Sequence, residues 1–153
     1  MTWLRATLLA PLLALTASVS PALSAAQPAP APLTVAFIGD QGLGADSIAV
    51  LELIRDRGAE LVVHAGDFDY TDDPEAWAAQ IDGVLGADFP YLITVGNHDR
   101  DRWPDYQAHV NARLARQPQI ACEGDLGVNS ACRVGGVLFL LSGAGTLGRD
   151  HDA

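Results

Sequence analysis

The sequence predicts an α/β domain of mostly parallel strands covered by helices, and three observations carry that expectation. Short apolar runs rich in β-branched residues alternate with segments whose apolar residues recur at helical spacing. Three of the runs end in Gly followed by a polar side chain: Asp40 after Gly39, Asp67 after Gly66, and Asn97 after Gly96. The intervals between those ends, 27 residues from Asp40 to Asp67 and 30 from Asp67 to Asn97, each suit one βαβ unit.

Taken in order, Leu33 to Ile38 reads as the first strand. Ala45 to Arg57 follows as a helix, with Ile48, Leu51 and Ile54 on one face and Gly58 as its stop. Leu61 to Ala65 is the second strand. Asp73-Pro74-Glu75 is a helix start, with Asp capping and Pro in the first helical position. That helix carries Trp77, Ile81 and Leu85 and meets Gly86. Tyr91 to Val95 is the third strand, Tyr106, Val110 and Leu114 indicate a third helix before Pro118, and Val137 to Leu141 is a fourth strand.

Residues 1–26 read as a cleaved export signal. Arg5 is their only charge, Ala6 to Val19 form an apolar run broken by Pro11, and small residues near Ala22, Ser24 and Ala26 suit cleavage. The run falls short of the ~20 residues that cross a bilayer, so no stable membrane anchor is expected after cleavage. Residues 27–32 alternate Pro and Ala after Gln27 and read as an extended linker. Residues 33–153 are left for one domain, secreted or periplasmic.

The chain has no Lys, nine Arg, fifteen Asp and four Glu, a balance that argues against nucleic acid as a partner. Solubility accounts for such a charge; the sharper reading is that several Asp gather cations. The oligomeric state is not legible. Cys122 and Cys132, with nine residues between them, are expected to pair as a local disulfide in an exported protein. Closing so short a loop contributes on the order of 2–3 kcal/mol in the chain-entropy model.

In open parallel sheets the carboxyl ends of strands form the ligand-binding edge, so Asp40, Asp67 and Asn97 are expected to converge there. A single Gly-Asp after a strand is usually a turn. Three in succession, the last extended by His98 and Asp99, are harder to explain that way. Two carboxylates, an amide oxygen and the nearby Tyr70 are hard ligands that suit divalent or trivalent cations. A cation would also relieve the repulsion between the two Asp. His98 could then donate to a phosphoryl oxygen or a leaving group, oriented by Asp99.

The blocks GDQG, GDFDY and GNHD resemble the first three signature blocks of the calcineurin-like metallophosphoesterases, and in particular the purple acid phosphatase-like branch. The resemblance runs from Ile38 to about Leu147. It implies the βαβαβ half of a four-layer α/β/β/α sandwich, and hydrolysis of a small phosphate ester by a hydroxide activated between two metal ions, iron with zinc, manganese or a second iron. Asp40 would bind one metal and Asp67 both; Tyr70 would complete the first set and Asn97 would bind the second. His98 would stabilise the transition state.

The family closes its site with histidines from two further blocks, and neither block occurs in this chain. His64 lies inside the second strand, a core or supporting position; His109 falls in the third helix, a surface position; and His151 is near the end. The second metal therefore keeps Asp67 and Asn97 alone. The expectation is an N-terminal portion of a metallophosphoesterase, with the inner face of its sheet lacking a covering sheet and exposing apolar surface. The competing expectation is a short exported metal-binding or interaction domain that keeps the fold without the catalysis. An esterase with a Gly-Asp-Ser nucleophile is excluded because Gln41 stands at the Ser position, and a P-loop because no Gly-Lys-Ser/Thr follows a strand.

Overall fold

A computed structural model describes residues 32–147. The expected leader at 1–26, most of the linker and His151 lie outside the described residues. The order is β1 (Val35–Ile38), α1 (Ala45–Asp56), β2 (Leu61–His64), α2 (Pro74–Leu85), β3 (Tyr91–Ile93), a 3₁₀ turn at Arg100–Arg102, α3 (Trp103–Leu114), β4 (Ala121–Asp125), β5 (Asn129–Val134) and β6 (Val137–Ser142). β1, β2 and β3 form a parallel sheet in that spatial order. This is the βαβαβ unit that the sequence predicts.

Each helix has a local cause. Asp73 Oδ1 accepts the Ala76 amide at 3.0 Å, and Pro74 occupies the first turn, where its missing N–H costs nothing. In α1 the buried stripe is Ser47, Leu51 and Ile54; Ile48 is more than a third exposed, a small rotation from the expected face. Ser47 tolerates burial because its hydroxyl donates to the Gly44 carbonyl at 3.0 Å. Arg113, buried on α3, donates to the Gly86 carbonyl at 2.7 Å and pairs with Asp82, which ties α3 to the end of α2.

Register divides the parallel sheet into two faces. Val62, His64, Tyr91 and Ile93 share one, where the rings of Trp77 (α2) and Tyr106 (α3) pack T-shaped at 5.5 Å beside Phe68. Leu61, Val63 and Leu92 point the other way. They too are buried, and they belong to one continuous core with Cys132, Val134 and Leu141.

Those last residues come from the second sheet, β4-β5-β6, an antiparallel meander. The sequence shows only its last strand, and the expected disulfide loop is in fact the β4–β5 hairpin. Cys122 faces Cys132 across it, bonded, with Cα atoms 4.0 Å apart. The meander corrects the expectation of an uncovered inner face: it covers β2 and β3 and leaves only the β1 margin bare, where Phe37 is 71% exposed. Further exposed apolar side chains lie on α1, at Val50 and Leu53, and on β6, at Leu138 and Leu140.

Candidate metal centre at the strand ends

The three Gly-polar strand ends meet at one edge, as the topology of a parallel sheet requires. The first is laced to the second by a ladder of backbone bonds. Asp40, Gln41 and Gly42 amides donate to the Gly66, Asp67 and Phe68 carbonyls at 3.1, 3.0 and 3.0 Å. The second and third approach more closely still. A Cβ on Gly66 would stand 2.5 Å from the Gly96 Cα, so both positions need glycine for the two loops to touch.

On this frame Asp40 is exposed and Asp67 half-buried, and both hold left-handed backbone, with φ of 52° and 59°. Tyr70 shares that conformation at φ 62°, which a bulky aromatic residue seldom adopts. Its hydroxyl donates to Asp40 Oδ1 at 2.7 Å. That bond and the surrounding carboxylates push the phenol up to about 12. The His98 ring lies against the Tyr70 ring, centroids 4.8 Å apart, and the His98 amide donates to Asp67 Oδ1 at 3.1 Å. Asn97 is exposed beside them at the tip of the third end. Asp40, Asp67, Tyr70 and His98 are thus brought together, with Asn97 adjacent in the chain.

Asp99 does something other than orient His98. It is 1% exposed, and its carboxylate accepts three backbone amides: Oδ2 accepts the Gly96 and Asp67 amides at 2.7 and 2.9 Å, and Oδ1 accepts the Phe68 amide at 2.8 Å. Burial pushes its pKa up, against the pull of those three amides. With its bonds going to three loop amides and none to the His98 ring, this carboxylate braces the loops.

Asp69 is a second brace the sequence did not single out. It is buried; Oδ1 accepts the Thr71 amide at 2.7 Å, while Oδ2 accepts the Asp73 amide at 3.1 Å and the Tyr106 hydroxyl at 2.5 Å. The signal was available as an Asp two residues before Thr71, the spacing of an Asx turn. Beneath the edge, His64 Nδ1 lies 2.9 Å from the Tyr91 hydroxyl, which in turn lies 3.2 Å from Gln41 Oε1. Burial lowers His64 to about 3, so it is a neutral core residue, consistent with its place inside a strand. His109 is half-buried on α3.

Fit to a cation can be tested on these residues. Among the described residues neither Asp40 nor Asp67 takes part in an ion pair with Arg or His. Two unneutralised carboxylates with a phenol and an amide at one edge make a hard-ligand set that suits such an ion. The set is thin: no group of three or more His, Cys, Asp or Glu able to hold a metal occurs among the described residues.

The model of the calcineurin-like phosphoesterase family matches residues 33–151, and the chain belongs to that family. Its architecture, a three-stranded parallel sheet with its helices, is a partial calcineurin-like fold, and its class is that of metal-dependent phosphoesterases. No curated protein and no solved structure matches the chain. No helix among the described residues is long and apolar enough to cross a membrane.

Proposed function

We infer that the chain forms one wall of a two-metal phosphoesterase site of the purple acid phosphatase-like kind, acting on a small phosphate ester. Asp40 and Tyr70 serve one metal, Asp67 both, and Asn97 the second. What supports this reading is the lacing of three strand ends, which gathers Asp40, Asp67, Tyr70 and His98 at one edge where, among the described residues, neither acid forms an ion pair. When bound, the metals, iron with zinc, manganese or a second iron, supply the positive charge that activates water and neutralises phosphoryl oxygens. For Tyr70 to ligate as a phenolate, it must give up the hydroxyl proton it now donates to Asp40. His98, exposed at the rim against Tyr70, offers a ring N–H to a phosphoryl oxygen or the leaving group.

The second metal's share of this chain, Asp67 and Asn97, is too small for tight binding. Turnover by this chain alone is therefore expected to be negligible. That same thinness favours the alternative, a non-catalytic metal-binding or interaction domain built on the fold. Export to an oxidising compartment, secreted or periplasmic, accords with the Cys122–Cys132 disulfide and with residues 1–26 as the signal. Manganese uptake by the full chain in equilibrium dialysis, compared with an Asp67→Ala variant, tests the site. Weak uptake by wild type and its loss in the variant are expected; equal uptake refutes the ligand assignment. p-Nitrophenyl phosphate and its diester, offered with the metal, should be turned over negligibly; robust hydrolysis abolished by His98→Ala would overturn that expectation and exclude the non-catalytic reading.

A further inference from the structure

The three strand ends are joined in two different ways. The first and second are joined by the backbone ladder from Asp40, Gln41 and Gly42, which a side-chain change leaves in place. The ladder between β2 and β3 ends with the Thr94 amide on the His64 carbonyl at 2.9 Å. Beyond that point the second and third ends touch at Gly66 and Gly96, and the polar links between them run through two carboxylates. Asp67 Oδ1 accepts the His98 amide, and Asp99 accepts the Gly96, Asp67 and Phe68 amides.

Asp99 is the more constrained of the two. It is 1% exposed and has no cationic partner among the described residues, so three amides converge on a carboxylate that nothing else compensates. One of those amides belongs to Asp67 itself, whose backbone is held at φ 59°. Fixing an amide and a φ fixes the Cα–Cβ direction from which the Asp67 carboxylate extends. Asp99 also stands two residues after Asn97, in the loop it closes onto the Gly96 amide at 2.7 Å. A single carboxylate therefore grips both the Asp67 turn and the Asn97 turn.

We propose that Asp99 is a positioning residue of the metal centre: its carboxylate sets the placement of Asp67 relative to Asn97, so that cation affinity depends on a side chain that is not a ligand. This rests on the reading of Asp67 and Asn97 as ligands. The isosteric Asp99→Asn change is the sharpest probe. An amide nitrogen in place of one oxygen cannot accept, so at least one loop amide then faces a donor.

The experiment compares the full chain with Asp99→Asn, Asp99→Glu and Asp67→Ala, using Mn²⁺ calorimetry, the visible spectrum of bound Co²⁺, and urea unfolding. Asp99→Asn is expected to weaken Mn²⁺ by roughly 10- to 100-fold, the usual cost of losing a residue that orients a ligand, and to alter the Co²⁺ band at saturation. Partial unfolding lowers apparent affinity only in proportion to the folded fraction, so a tenfold loss in a folded variant is not a stability effect. Asp99→Asn folded, with wild-type affinity and an unchanged Co²⁺ spectrum, overturns the proposal while Asp67→Ala still loses the metal. If Asp67→Ala leaves affinity unchanged, or wild type takes up neither ion, the ligand reading has failed and the proposal fails with it. Should the Asn variant not fold, Asp99→Glu decides, since its longer reach must displace the same turns. Weaker Mn²⁺ binding in the folded Glu variant supports the proposal, and wild-type affinity there sinks it.

Discussion

The two sheets meet the same backbone demand with different residues. In the antiparallel meander the left-handed turns fall on glycines, among them Gly127 at φ 76°. At the carboxyl edge of the parallel sheet the left-handed positions include Asp40, Asp67, Tyr70 and Asp72, with φ between 52° and 62°. A side chain in that conformation costs about 1–2 kcal/mol for an ordinary residue, less for Asp, and Tyr has no local hydrogen bond to offset it. Glycine would serve the turn better at each of these places. The meander is shaped by folding alone, whereas the parallel edge tolerates strain in order to present particular side chains. Strain confined to one edge is a mark of function independent of any motif.

The largest expected effect breaks the meander's side of that contrast. The Gly127 carbonyl accepts the Val95 amide at 3.1 Å, docking the β4–β5 turn onto the end of β3. A Cβ there would stand 2.7 Å from the Trp103 ring and 2.8 Å from the Ile93 carbonyl oxygen. Gly127→Ala should therefore lower stability by about 3 kcal/mol in urea melts, combining left-handed strain with overpacking. A loss below about 1 kcal/mol would mean the turn moves away without cost, and that the meander is less firmly docked than its core contacts indicate.

A somewhat smaller effect tests whether the two regions are separable in function. The Cys122–Cys132 bridge lies within the meander, remote in sequence from the strand ends. Replacing both cysteines by Ser should reduce stability by about 2–3 kcal/mol. Manganese retention should be unchanged, because none of the laced loops includes that hairpin. A parallel fall in metal affinity, in a variant still folded, would show that the meander holds the edge in shape.

What the sequence made legible follows the same division. The parallel unit announces itself because β2 and β3 are buried on both faces and read as continuous apolar runs, and because Asp73-Pro74 and Gly86 mark α2 at both ends. β4 and β5 were missed for the opposite reason. Every residue of β4 is exposed, and β5 buries only Ser130, Cys132 and Val134, so neither shows an apolar run, and the cysteines drew the segment toward a loop reading. At the site, the residue types and spacing were enough to nominate Asp40, Asp67, Tyr70, Asn97 and His98. Of the braces, Asp69 left one local trace, its Asx-turn spacing to Thr71, whereas Asp99 was not legible as a brace. The Asp67 and Phe68 amides that Asp99 accepts become its neighbours only when the second and third loops meet, and composition carries no trace of that.

The smallest effect bears most directly on the contrast. Asp40 is exposed at φ 52°, and the side-chain hydrogen bond it makes is the one it accepts from Tyr70 at 2.7 Å. Its turn is held by backbone bonds, from its own amide to Gly66 and from Gln41 to Asp67, which glycine retains. Asp40→Gly should therefore relieve left-handed strain without undoing the lacing, and raise stability by up to about 1 kcal/mol. The extra chain entropy of glycine in the unfolded state offsets part of that gain. Metal retention should fall at the same time, because a carboxylate has been removed from a small set. The pairing of the two results is what decides. Stability held or raised with metal lost means Asp40 is kept against the preference of its own backbone. Stability lowered by more than about 1 kcal/mol means the carboxylate supports the fold through Tyr70, and its left-handed turn is then no sign of a site.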